Sequence, residues 1–305
     1  MSSRDAMPPP FAAGIWVPIV TPFSLGEVDR VATARLVRHL CDSGVQGLVV
    51  CGTTGEGPAL TSREKATLLD TVFKATAGHV PVILALEGAN TAKLIAELRD
   101  IGPWPVCGYL LPAPSYVRPS EEGLRRHFLT IAEAVEGPVM IYDIPARTGS
   151  TLSASLIADL AATSRFPAIK ACGLSPQRLA ELLEIADLSV FCGDDSWILP
   201  ALTQGAQGAV SACANVLPKE LVALYEACRE SRAAGAERLW ERLLPATQLL
   251  FDEPNPAPVK AALALQGMIE ESLRLPLTPC SAGLRQRLRS LLSGPFCARN
   301  ADALI

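Results

Sequence analysis

The sequence predicts a (β/α)8 TIM barrel with a C-terminal helical appendage. Three observations carry that expectation. Eight short apolar runs read as strands, and their hydrophobicity is continuous, as in parallel strands buried on both faces. Between them lie amphipathic stretches with Ser or Thr starts and Gly stops, the punctuation of helices. Eight such units over roughly 230 residues give a spacing of about 29, which suits a barrel of ~250 residues. A doubly wound open sheet is the alternative. It is disfavoured because no G-x-G-x-x-G follows the first strand and because eight even units close more naturally.

The chain opens with MSSRDAMPPPF, which has charges and three prolines and no apolar signal core. Residues 1–13 are therefore expected to be an N-terminal tail, residues 14–245 the barrel and 246–305 a C-terminal helical region. The expected strands are GIWVPIVTPF from Gly14, GLVVCG from Gly47, PVILALEG from Pro81 and VCGYLLP from Val106. PVMIYDIP from Pro138, PAIKACG from Pro167, SVFCGDD from Ser189 and GAVSACAN from Gly208 follow. Among the helices, VATARLVRHLCDSG stops at Gly44, and SREKATLLDTVFKATAG is read as starting on a Ser62 cap. EEGLRRHFLTIAEAVEG follows Ser120; SASLIADLAATS and PQRLAELLEIADL fit the same scheme. Residues 217–244, rich in Ala, Leu, Glu and Arg, complete the eighth unit, and helical patterns near 257–272 and 282–292 form the appendage.

The 305 residues are 49% hydrophobic and 19% charged, with a net charge of −4. That composition supports a sizeable core in a soluble chain. It excludes the basic surface that nucleic-acid binding needs. No apolar run approaches the roughly 18 residues of a membrane span, so a cytoplasmic protein is expected. The nine cysteines are scattered without C-x-x-C spacing. They suit a reducing compartment and argue against zinc. His39, His79 and His127 lie far apart and read as structural or solvated, so no metal site is expected.

The residues that carry chemistry fall at the C-terminal ends of strands, where such barrels place their sites. The sixth strand carries Lys170 inside an apolar run. A buried ammonium is costly, and burial lowers its pKa; a neutral lysine is a nucleophile toward carbonyls. The bland alternative is a lysine at the strand end that snorkels to water. Tyr142 and Lys170 are 28 residues apart, one strand–helix unit, which puts them on neighbouring strands about 5 Å apart. A tyrosine hydroxyl there can relay protons. The loop Gly52-Thr53-Thr54-Gly55-Glu56-Gly57 can form a backbone nest beside hydroxyls for a carboxylate or phosphate. Arg147, in the loop beyond Tyr142, can grip a carboxylate bidentately. Tyr116 follows the fourth strand, and Gly193-Asp194-Asp195 ends the seventh. These groups point to an aldolase-like mechanism. Lys170 condenses with an α-keto acid, the imine tautomerises to an enamine, and the enamine attacks an aldehyde. No metal or cofactor is called for, because the protonated imine is the electron sink.

The combination of GTTGE, YDIPARTG, the IK strand end, GDD and EPNPAPVK resembles the dihydrodipicolinate synthase family. That family belongs to the N-acetylneuraminate lyase superfamily of pyruvate-dependent aldolases. The likeness runs from about Gly14 to Leu292, and the run from Asn255 to Lys260 favours the synthase branch over the sialic-acid lyases. The resemblance implies that Lys170 forms the pyruvate imine and that Tyr142 is the acid/base. It implies a link through Thr53 to Tyr116, which reaches in from a neighbouring subunit. Thr54 would hold the pyruvate carboxylate, and Arg147 the carboxylate of L-aspartate 4-semialdehyde. Gly193 and Val210 would line the pocket. The implied assembly is a homotetramer, a dimer of tight dimers, and the implied pathway is lysine and diaminopimelate biosynthesis.

There are departures from the family pattern. Ser115 stands where a second tyrosine is frequent, Asp143 where asparagine is common, and Ala171 where glutamate often follows the lysine. Leu86-Glu87 replaces a glycine-rich pair. Lys93 falls where lysine-inhibited members carry a glutamate, and it predicts weak or absent feedback inhibition by lysine. Two other readings stay open: a lyase of the same superfamily acting on a sugar acid or hydroxy-keto acid, and a non-catalytic keto-acid binder.

Overall fold

The computed structural model describes residues 11–293. Eight parallel strands close into a barrel: β1 (Gly14–Pro18), β4 (Gly47–Val50), β5 (Val82–Ala85), β6 (Gly108–Pro112), β7 (Val139–Asp143), β8 (Ala168–Ala171), β9 (Ser189–Cys192) and β10 (Gly208–Val210). β1 closes the ring by pairing with both β4 and β10. Nearly every residue of these strands is buried, because the barrel interior covers one face and the helices the other. This is why the runs are continuously apolar.

A two-stranded hairpin, β2 (Phe23–Ser24) and β3 (Glu27–Val28), follows β1 and is absent from the sequence expectations. Its strands are too short to show any hydrophobic period. The outer layer is α1 (Arg30–Asp42), α2 (Ser62–Thr76), α3 (Thr91–Ile101), α4 (Glu121–Ala134), the single turn α5 (Pro145–Thr148), α6 (Ala154–Ala161), α7 (Pro176–Leu183), α8 (Ile198–Thr203) and α9 (Pro218–Arg229). α10 (Ala233–Leu249), α11 (Ala257–Leu265) and α12 (Ala282–Ser293) follow.

Four sequence expectations change in detail. α2 is capped by Thr61, not Ser62: Thr61 and Glu64 form a reciprocal capping box. The 217–244 stretch is two helices, broken where Ser231 takes φ 57°, and α10 runs past the expected barrel boundary at 245. The pattern at 257–272 stops as helix at Leu265, just before Gly267 at φ 72°. Arg147 sits on the helical turn α5 rather than in a loop. At the other end of the described chain, Phe11 is 2% exposed and packs edge-on against Trp16, in the same cluster as Tyr142 and Phe191. The eight described cysteines are all free thiols; Cys297 lies outside the described residues.

Candidate active site

The register of β7 and β8 sets Tyr142 directly opposite Lys170. Side chains alternate along a strand, so Lys170 points into the barrel while Ile169 and Ala171 join the core beneath the helices. Lys170 is 6% exposed; it does not snorkel. Its Nζ lies 4.3 Å from the centre of the Tyr142 ring. Burial lowers the Lys170 pKa, Cys172, Asp195 and Asp194 oppose that, and Arg147 adds to it. Burial also drives the Tyr142 hydroxyl well above its ordinary pKa. The pair is a weakly basic amine beside a phenol that keeps its proton. This is the pairing that carbinolamine formation and collapse require.

A cavity of about 90 Å³ opens on these two groups, and Thr53, Thr54, Arg147, Gly193 and Val210 share its wall. Seven of the eight expected site residues thus meet in one cavity. Gly193 has a steric reason to be glycine: a Cβ there would stand 2.4 Å from Cys172 Sγ and 3.0 Å from Lys170 Cε. A larger surface cavity, about 610 Å³, lies among Arg99, Trp104, Tyr109 and Glu136. It holds neither the lysine nor its tyrosine, so chemistry selects the smaller one.

The GTTGEG loop is a tight turn closed by Glu56 N–H to Thr53 O (3.1 Å) and Gly57 N–H to Gly52 O (3.1 Å). Among the described residues the N–H groups of Thr53 and Thr54 find no acceptor, which leaves them for an anion. Thr54 Oγ1 accepts a bond from Asn255 Nδ2 (3.0 Å), so its own hydroxyl proton is free to donate. Arg147 is exposed at the mouth and makes no ion pair among the described residues.

Tyr116 is the exception. It is 94% exposed at φ 72° and does not line this chain's cavity. Among the described residues, no hydrogen bond joins Tyr142, Thr53 and Tyr116 within one chain. Three other residues noted in the sequence, Asp143, Asp195 and His127, have structural partners here. Asp143 accepts bonds from Leu152 N–H and Arg178 (both 3.3 Å). Asp195 ties the end of β9 to the turn after β10, accepting from Ser211 Oγ, Ala212 N–H (3.2 Å) and Cys213 N–H (3.0 Å). His127 is buried against Thr91 (2.8 Å).

Sequence reasoning missed several site residues. Asn255, Phe251 and Cys172 also line the cavity, as does Asp194, which the sequence places at the end of the seventh strand without a role of its own. Asn255 Oδ1 is buried without a partner among the described residues. Glu56, 2% exposed, is held by Lys260 Nζ and by Arg274 N–H (2.9 Å). Lys260 also donates to Ser272 O (2.8 Å). The EPNPAPVK run stands out as a motif, but nothing local in it tells that Asn255 and Lys260 grip the loop after β4.

A (β/α)8 barrel with a buried lysine facing a tyrosine, beside an anion nest, can form imines with small keto acids. The comparisons with known proteins sharpen that class. Residues 11–294 match the model of the dihydrodipicolinate synthetase family, and the chain belongs to that family. It is 35% identical over 281 residues to the 4-hydroxy-tetrahydrodipicolinate synthase of Syntrophus aciditrophicus, covering 92% of this chain and 97% of that one. It is 38% identical over 284 residues to 4-hydroxy-tetrahydrodipicolinate synthase 1 of Halalkalibacterium halodurans, covering 91% and 95%. Among solved structures, dihydrodipicolinate synthase from Aquifex aeolicus superposes with a TM-score of 0.88 at 35% identity, covering 92% and 97%. A protein described as the first monomeric dihydrodipicolinate synthase variant does so with 0.89 at 32%, covering 92% and 96%.

Proposed function

We propose that this protein condenses pyruvate with L-aspartate 4-semialdehyde to 4-hydroxy-tetrahydrodipicolinate, a step of lysine and diaminopimelate biosynthesis. The observation that carries the reading is Lys170, buried opposite Tyr142 in a cavity sized for a small acid, in a chain of this family. The neutral amine adds to the keto carbon, and Tyr142 protonates the departing hydroxyl as water. Loss of a methyl proton converts the imine to an enamine. The enamine carbon attacks the aldehyde carbon, and Tyr142 protonates the new alkoxide. The acceptor's amine then closes on the imine carbon and releases Lys170. The Thr53 and Thr54 N–H groups and the Thr54 hydroxyl hold the pyruvate carboxylate, and Arg147 takes the acceptor's carboxylate. Gly193 and Val210 shape the wall. No cofactor or metal takes part.

The family likeness and the exposure of Tyr116 and Val117 support a homotetramer built from tight dimers, with Tyr116 serving a neighbouring subunit through Thr53. We place the enzyme in the cytoplasm; no helix among the described residues is long and apolar enough to cross a membrane. The test is turnover of pyruvate and aspartate semialdehyde, coupled to dihydrodipicolinate reductase and followed by nicotinamide oxidation. Turnover lost in Lys170→Ala supports the reading. No turnover in a protein that still traps pyruvate refutes the acceptor and turns the search to sugar acids and hydroxy-keto acids.

A further inference from the structure

Glu87 lies two residues past Ala85, the last residue of β5. Side chains alternate along this stretch: Ile83 and Ala85 join the cluster inside the barrel, Leu84 and Leu86 the one beneath the helices. Leu86 N–H donates to Leu110 O (2.8 Å), so the ladder continues past the end of the strand. Gly88 turns outward, where a Cβ would meet Leu94 of α3. Glu87, between them, faces the barrel axis. The register sets its level. Ala85 pairs with Leu110 and Pro112 with Tyr142, so Glu87 stands level with Tyr142, two strands and roughly 10 Å away at the backbone. On its other side is the corner of the GTTGEG loop, where a Cβ on Gly52 would touch Ala85 Cβ at 3.5 Å. Glu87 is half-buried and makes no hydrogen bond or ion pair among the described residues. Lys65 is already paired with Glu97, and Arg147, across the mouth, is unpaired as well. Burial raises the Glu87 pKa, and Arg147 and then Lys65 oppose that. A carboxylate drawn out of water without a partner is costly, and such groups in a cleft mark binding sites.

We propose that Glu87 is a specificity-determining residue that receives the α-ammonium of the acceptor while Arg147 takes its carboxylate. The proposal rests on the aspartate semialdehyde reading above and deepens it. The two charges of an α-amino acid sit on one carbon, and an anion and a cation at the rim of one mouth match them. Pyruvate carries no cation, and the cavity around Lys170 does not include Glu87, so Glu87 acts on the second substrate alone. A sugar acid or hydroxy-keto acid brings a carboxylate for Arg147 but no ammonium, and leaves the Glu87 charge unmatched. The carboxylate therefore sorts acceptors by what it fails to pair with as well as by what it binds.

The test compares the two substrates in the coupled assay, with the parent, Glu87→Gln and Glu87→Asp. Glutamine keeps the shape and removes the charge; aspartate keeps the charge on a shorter arm. In Glu87→Gln, kcat/KM for aspartate semialdehyde is expected to fall at least ~10-fold, the scale of one hydrogen bond to a charged group. In the same variant, kcat/KM for pyruvate and borohydride trapping on Lys170 are expected to stay within about threefold of the parent. Glu87→Asp is expected to fall between the parent and Glu87→Gln. An aspartate semialdehyde kcat/KM within about threefold of the parent in Glu87→Gln overturns the proposal. Equal losses for pyruvate and aspartate semialdehyde also overturn it, since the carboxylate then serves the fold of the mouth and not the acceptor. A parent protein that traps pyruvate but does not turn over aspartate semialdehyde fails the acceptor reading itself, and the ammonium site with it.

Discussion

Lys260→Met is expected to be among the most destabilising single changes in the chain, although it replaces a charge by an apolar side chain of similar length. Lys260 and Glu56 form an ion pair with both side chains 0% exposed. Without the ammonium, Glu56 keeps the Arg274 N–H on one oxygen and loses its partner on the other. Breaking a buried pair by removing one partner costs about 3–5 kcal/mol. At about 2–4 °C per kcal/mol for a large domain, the melting temperature should fall by on the order of 10 °C. The double variant Glu56→Gln/Lys260→Met should recover most of the loss. It removes both charges, and the introduced amide oxygen still accepts from Arg274 N–H. An unpaired buried carboxylate can escape its cost by taking up a proton. The deficit of the single variant should therefore shrink as pH falls and widen as pH rises. Thermal melts of the parent, single and double variants at several pH values read all three. A single variant within about 1 kcal/mol of the parent would refute the reasoning, since Glu56 would then have found water or another cation. The same pair pins the loop that carries Thr53 and Thr54, so KM for pyruvate should rise in the single variant.

Three further outcomes follow from the same geometry. Burial holds the His127 pKa down from 6.5 to about 4, so the folded state favours the neutral ring. Its stabilisation is present above pH 6.5, falls away as pH drops, and is lost by about pH 4. The total is about 3 kcal/mol, and His127→Gln should flatten that part of a stability–pH curve measured in urea. Gly193→Ala forces a Cβ into Cys172 and Lys170. Overpacking of about 1–3 kcal/mol at the lysine should cut kcat by ~10-fold or more, and unchanged kcat would show the wall to be pliant. Lysine should inhibit weakly or not at all, because exposed Lys93 repels a cationic effector at the start of α3. A titration showing strong inhibition at sub-millimolar lysine contradicts this.

The barrel was legible because each strand is buried on both faces, so eight runs such as GLVVCG and PVMIYDIP announce themselves without any period to count. The Tyr142–Lys170 register was legible for a related reason: one strand–helix unit separates them, and neighbouring parallel strands pair one unit apart. The hairpin at 23–28 was not, since two-residue strands carry no pattern. Pairings across the chain left no local trace either. Asn255 reaches Thr54 over 201 residues and Lys260 reaches Glu56 over 204. In sequence, Lys260 looks like any lysine near a helix start. Cys172 reads as a small hydrophobe, because alternation places it inward but does not say that it lines the cavity beside Lys170.

The central claim is that Lys170 is the imine-forming group, and it is tested most directly by reducing the protein with borohydride in the presence of pyruvate. After digestion, the peptide containing Lys170 should carry the reduced pyruvate adduct at close to one per chain. Lys170→Ala should carry none anywhere. An unmodified Lys170 peptide, or an adduct on another lysine, would contradict the account.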